Sequence, residues 1–193
     1  MQAHLTPLDA PSPAQPRAAA IVDDQLLDVG ALLAQIVRQQ LQAGRRVRGC
    51  LMTRTPRTET RAATMVLEEI DGGQRFLVSQ PMGSGSMACR ADPQGFANAS
   101  EIFRRALQQK PDLIVSNRFG DLEVKRGGGF MAELLSIMAE GIPLLTTVAR
   151  RNAPAWQDFT GGGALLPPDA WAVASWIDAA VAQYRSDQRD SVK

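Results

Sequence analysis

The chain has 193 residues, the size of one domain by the usual prior. Lys plus Arg number 21 and Asp plus Glu 20, a formal charge of +1, so no global field selects nucleic acid or an acidic surface. The one histidine, His4, argues against Ser/His/Asp or Cys/His centres and His-rich metal sites, and two cysteines, Cys50 and Cys89, cannot build a disulfide framework or a four-cysteine zinc site.

The start, rich in Pro and Ala, has little to bury, so residues 1–17 are expected to form a disordered tail. It lacks a basic region followed by an apolar one, and no run reaches the roughly 18 apolar residues that span a bilayer. The expectation is a cytoplasmic protein with reduced thiols and no membrane partner. Residues 18–185 read as one α/β domain, and 186–193 as a polar tail that frays.

Ala18 to Val22 reads as a buried strand closed by Asp23 and Asp24. Leu26, Val29, Leu32, Leu33, Ile36, Val37 and Leu41 recur at helical spacing, and Gly44 follows as a C-cap. Val47 to Met52 reads as a second strand. Thr53 to Thr64, with Arg54, Arg57 and Arg61, reads as a solvated loop; its arginines are not interleaved with aromatics, which disfavours nucleic acid. Thr64–Ile70 and Gln74–Ser79 around Asp71-Gly72-Gly73 predict an antiparallel hairpin. Residues 81–90 read as a loop.

Asp92 as N-cap and Pro93 as first helical residue predict a helix to about Gln109. Asp112–Ser116 and Pro143–Val148 read as strands, Gly127–Glu140 and Pro154–Phe159 as containing helices. Pro168–Tyr184 predicts the last helix, with Trp171, Ala174, Trp176 and Val181 buried. Such alternation implies a mostly parallel, Rossmann-like sheet with helices on both faces and an inserted hairpin. Ligands in such folds bind outside the carboxyl ends of the strands, here the loops 23–28, 79–92, 116–129 and 149–163.

Four segments carry a resemblance. They are Asp112-Leu-Ile-Val-Ser-Asn-Arg-Phe-Gly-Asp-Leu-Glu123, then Gly141-Ile-Pro-Leu-Leu-Thr-Thr-Val148, the loop Gly83–Pro93, and Arg151–Gly162. Over about residues 18–182 the chain resembles a bacterial domain family of unknown function, some members of which are labelled molybdenum ABC transporter ATP-binding protein. That family in turn resembles small P-loop nucleoside triphosphatases, in which a strand ends in Asp-Glu, the Asp serving Mg²⁺ and the Glu helping to activate water. Aligned on Gly120, this chain has Asn117 and Arg118 at those two places and keeps Gly120 and Glu123. The resemblance implies a P-loop-like fold. The hydrolytic grip is missing: a P-loop needs G-x-x-x-x-G-K-S/T, whereas residues 22–31 have no Lys, no glycine pair and three carboxylates, Asp23, Asp24 and Asp28.

Several groups admit two readings each. Gly83, Ser84, Gly85 and Ser86, with Arg90 nearby, suit an oxyanion or merely turn the chain. Cys89 is a thiol activated by Arg90 or a small loop residue; Cys50 reads as core. Asn117, Arg118 and Gly120 sit at the ligand edge, with Arg118 either gripping an anion or pairing with Glu123 or Asp121. Gly127 and Gly128, after Lys125 and Arg126, form an anion site or a hinge. Arg150 and Arg151 converge on the same edge. Asp23 and Asp24 suit a hard cation, or Asp24 caps the helix and Asp28 complements its dipole. Trp156 and Phe159 read as core.

Three functions follow. The first is a binding protein that holds a phosphorylated ligand or tetrahedral oxyanion, such as molybdate, without hydrolysis. The second is a nucleoside triphosphatase with Mg²⁺ on Asp23 or Asp24 and Glu123 orienting water. The third is a protein-binding scaffold using the tail and the 53–63 loop. The residues identify no cofactor and no protein partner.

Overall fold

The computed structural model describes residues 16–55, 63–81, 89–126 and 128–190. The chain runs β1 (Ala18–Asp23), α1 (Val29–Gln42), β2 (Val47–Arg54), β3 (Met65–Glu69), β4 (Arg75–Leu77), β5 (Ser79–Pro81), β6 (Cys89–Ala91), α2 (Pro93–Ala99), α3 (Glu101–Gln109) and β7 (Leu113–Val115). It continues through α4 (Asp121–Arg126), α5 (Met131–Ala139), β8 (Leu144–Ala149), a 3₁₀ turn at Arg150–Asn152, α6 (Ala153–Thr160), β9 (Ala164–Leu166) and α7 (Ala170–Asp190).

The main sheet has the order β4-β3-β2-β7-β8-β1-β9. Its β2, β7, β8, β1 and β9 are mutually parallel, and the β3–β4 hairpin extends the edge antiparallel to β2. Parallel strands covered on both faces need near-continuous apolar runs, and β1, β7 and β8 have them. Alternate residues of β1 serve the two faces. Ala19 and Ile21 join Val29, Leu33 and Ile36 of α1 and Val173, Ile177 and Val181 of α7 in one core. Ala18 and Ala20 face the other, with Ile102 and Phe103 of α3, Leu134 and Ile137 of α5 and Trp156 of α6. The expected α/β architecture, with helices on both faces and an inserted hairpin, is the observed one.

Boundaries differ where periodicity carries no information. Leu26 and Leu27 are exposed and precede α1, because the chain turns at Gln25, whose φ is +67°. The cap residue of α1 is Ala43, and Gly44 follows it at φ +77°. The helix expected over 93–109 breaks at Ser100, whose hydroxyl donates to the Ala97 carbonyl at 2.8 Å. The strand expected over Gln74–Ser79 divides into β4 and the start of β5, β5 pairs antiparallel with β6 across the expected loop, and α4 and β9 are additions to the expected elements. α7 continues to Asp190 through part of the expected tail. Its Asp187 pairs with Arg17, which also donates to the Gly141 carbonyl at 2.9 Å, so both residues belong to the folded unit. Trp171, expected inside, is 78% exposed: it begins α7 on the face away from Val173 and Ile177.

Gly49 marks the point where β2 changes partner. Val47–Gly49 pair with β7 and Cys50–Arg54 with β3. Its φ is +113°, and a β-carbon there would lie 1.9 Å from the Val115 carbonyl oxygen. Backbone cannot yield as a flexible side chain can. Gly49→Ala is therefore expected to lower the unfolding free energy by about 3 kcal/mol or more, measured by urea denaturation against the parent chain.

Candidate functional site

The parallel strands deliver four exits to one edge: Asp23 from β1, Arg54 from β2, Ser116–Arg118 from β7 and Arg150 from β8. The β1 exit is organised by its own carboxylates. Asp23 Oδ1 accepts from the Gln25 amide at 3.0 Å, and Asp24 Oδ1 from the Leu26 amide at 3.2 Å. Asp28 is the N-cap of α1, its Oδ1 accepting from the Ala31 amide at 2.9 Å. Capping thus falls to Asp28 and not to Asp24, which instead closes the preceding turn.

Arginines from the other exits face these acids. Arg118 Nη2 lies 3.7 Å from Asp23 Oδ2, and Arg150 Nη2 lies 3.8 Å from Asp24 Oδ2. The partner of Arg118 is therefore Asp23, not Glu123 or Asp121, because β1 and β7 flank β8 and their exits converge. Both separations exceed hydrogen-bond length. Arg151 instead reaches Asp121 at 3.5 Å, which also accepts from Lys125 at 2.9 Å and Asn152 at 3.3 Å. The Lys125 and Asn152 hydrogen bonds, joined by the Arg151 charge, pull the Asp121 carboxyl down to about 2.

Asn117 serves as a brace. Its Oδ1 accepts from the Met52 amide at 2.8 Å, and its carbonyl accepts from the Thr147 hydroxyl at 2.7 Å, tying the β7 exit to β2 and β8. Glu123 is buried, with Oε2 accepting from the Gly120 amide at 2.9 Å and Oε1 from the Phe130 amide at 3.2 Å. Burial raises its carboxyl above the ordinary value, and the two amides oppose that rise. Gly129 passes so close that a β-carbon would lie 2.0 Å from Oε1. Glu123 thus joins the starts of α4 and α5 through the backbone. Gly128 donates to the Leu122 carbonyl at 3.2 Å.

Two clefts open here. One of 540 Å³ is lined by Asp23, Asp28, Gly30, Arg54, Arg118 and Thr147 among others. The second, of 310 Å³, lies across the β7 exit and shares Met52, Arg54, Asn117 and Arg118 with the first. Ala91, at the end of β6, lines this second cleft. Gly83, Ser84, Gly85, Ser86 and Gly127 lie outside the described residues, and Cys89 and Arg90 are described only as backbone of β6. Among the described residues no group of three or more His, Cys, Asp and Glu side chains could hold a metal, and no helix is long and apolar enough to cross a membrane. Cys50 is core, its thiol pushed up to about 12 chiefly by burial. Trp156 is buried edge-on to Phe119, and Phe159 stacks on the same ring. Arg54 belongs to this edge although the sequence reading ends the strand at Met52: β2 runs on through Thr53 and Arg54, both exposed, so no buried residue signals the extension.

This is the fold of small nucleoside triphosphatases. The chain is similar to THEP1 from Aquifex aeolicus, with TM-score 0.56 and 14% identity over 86% of this chain and 98% of that one. It is also similar to a human cancer-related nucleoside triphosphatase, with TM-score 0.51 and 17% identity over 69% and 76% of the two chains. Residues 18–176 match the family described as protein of unknown function (DUF2478), and the chain belongs to that family. A molybdenum import ATP-binding protein, ModC 2 of Bradyrhizobium diazoefficiens, is 35% identical over 161 residues, 83% of this chain but 18% of that protein. The chain therefore spans under a fifth of that relative's length.

Two outcomes follow from the acids. Glu123→Ala orphans two amides and is expected to cost about 2–3 kcal/mol in chemical denaturation. Asp121 is held below its ordinary value of 3.8, so its pairs stabilise the fold above that pH and the contribution is lost as pH falls toward about 2. Asp121→Asn should cost less than about 1 kcal/mol at pH 7, since the pair is exposed. The difference from the parent should vanish in unfolding curves taken near pH 2.

Proposed function

We propose that this chain uses a nucleoside-triphosphatase fold to hold a phosphorylated ligand or tetrahedral oxyanion without hydrolysing it. One observation carries the reading. Arg118 and Arg150 face Asp23 and Asp24 at 3.7 and 3.8 Å, attracted as charges but without hydrogen bonds between them. Their guanidinium donors keep their capacity for an incoming oxyanion, and a bidentate contact of that kind is stronger than the loose pairs it would replace. The open cleft beside Arg118 provides the space.

The absence of hydrolysis rests on α1. In a P-loop the amides at the start of the first helix and a lysine grip the phosphates. Here Asp28 occupies the Ala31 amide, and Asp23 and Asp24 lie in the crossover just before that helix, where their charge opposes an incoming phosphate. Two unit charges of one sign 4 Å apart repel by about 4 kcal/mol near a protein surface. The anion therefore binds from the arginine side. The Bradyrhizobium relative's name makes molybdate the first probe.

Isothermal calorimetry with molybdate, tungstate, inorganic phosphate and ATP tests this. Heat is expected with at least one of them, with affinity about fivefold weaker in Arg118→Ala and in Arg150→Ala. Phosphate release from ATP with Mg²⁺ should equal the buffer blank. No heat with any probe overturns the binding; release that Glu123→Ala abolishes makes the chain an enzyme instead.

A further inference from the structure

The 310 Å³ cleft differs in chemistry from its neighbour. Its floor is apolar: Met52 from β2, Met65 and Leu67 from β3, Phe96 from α2, Leu122 from α4 and Phe130 before α5. The ring of Phe130 is fixed on two sides, 5.2 Å from Phe96 and 4.7 Å edge-on to Phe103. Its backbone is held by Glu123. Two unbranched methionines opposite fixed aromatic rings form a surface that adapts to a flat apolar body.

Arg54, Arg118 and Arg151 also line this cleft. Arg54 has no ion-pair partner among the described residues. Arg118 is loosely balanced by Asp23, and Arg151 by Asp121. The two acids of the wall are already engaged, Asp121 by Lys125, Asn152 and Arg151, and Glu123 by two amides. An inorganic oxyanion would use the guanidinium groups and leave the apolar floor in contact with water. A purely apolar ligand would do the reverse.

We infer that this second cleft binds a small organic anion, with a ring-sized apolar body on the Met52–Phe96–Phe130 floor and a phosphate or carboxylate on Arg54, Arg118 and Arg151. Its volume sits at the small end of the range for small-molecule sites, about 300–1,000 Å³, so one fused ring and one acidic group fill it. The inference rests on a different cavity from the oxyanion site proposed above, although Arg118 lines both. Arg150 lines only the edge beside Asp24, and Arg151 only this cleft, so the two sites can be tested separately.

Fluorescence titration of the full chain with naphthyl phosphate, naphthol and inorganic phosphate tests it. Naphthyl phosphate should saturate one site at least about tenfold more tightly than either naphthol or inorganic phosphate. Arg151→Ala should weaken it at least about threefold, whereas Arg150→Ala should leave it unchanged and weaken only the inorganic oxyanions. Both arginines are exposed, and thermal melts equal to the parent's would show that each variant folds. A smaller preference for naphthyl phosphate, or a smaller loss in Arg151→Ala, overturns the inference. Failure here with molybdate or phosphate still bound leaves the oxyanion site standing, and the converse result separates the two the other way.

Discussion

The carboxylate of Asp28 at the start of α1 governs the chemistry of the whole edge. A helix N-terminus is a natural anion site, because its first amides are unpaired and the helix dipole favours negative charge there. Asp28 satisfies that demand from within the chain, at 2.9 Å from the Ala31 amide. Once the helix start holds its own anion, Asp23 and Asp24 just before it cannot be balanced by the dipole. Cations must reach them from elsewhere, and Arg118 and Arg150 do so. The arginines are thus consequences of the acidic crossover as much as candidate ligand contacts.

The sheet makes this compensation possible. Because β8 lies between β7 and β1, an arginine leaving β7 must pass over the end of β8 to meet Asp23. Thr147 of β8 supports that path by donating to the Asn117 carbonyl, while Asn117 itself takes the Met52 amide of β2. An aspartate at 117 would accept the same amide but would add a fourth carboxylate to an edge that already carries Asp23, Asp24 and Asp28. Asparagine keeps the brace without the charge. Glu123, by contrast, can remain acidic because two backbone amides receive it and burial separates it from the other acids.

Much of the fold was legible. The apolar runs of β1, β7 and β8 have no other stable use than a sheet covered on both faces, and Asp92-Pro93 marked the start of α2 without ambiguity. Periodicity failed at ends, because it identifies a buried face and not where a helix begins. Leu26 fits the α1 pattern yet lies in the turn, and Trp171 fits an apolar count yet faces solvent. Short strands such as β9, three residues long, carry too few residues for any pattern to register. The site was legible as a set of loops and residue types. Its pairings were not, since Arg118 meets Asp23 only through a strand order that residue spacing does not encode. The second cleft was invisible for the same reason: Arg54 and Arg151 are far apart in the chain, and the floor between them is assembled from five separate segments.

The acidic crossover and the arginine exits form a coupled set, which bears on how the fold could serve nucleotide hydrolysis. Removing Asp28 alone would free the Ala31 amide, but Asp23 and Asp24 would still repel a polyphosphate. Removing those two acids as well would leave Arg118 and Arg150 without their balance and would still not supply the lysine that neutralises the phosphates of a P-loop. On the reading proposed above, each such step is opposed by the partners the others leave behind. A set of residues that satisfies its own charges in this way stabilises the fold and, in the reading proposed above, leaves its arginines free to exchange those partners for a bound anion.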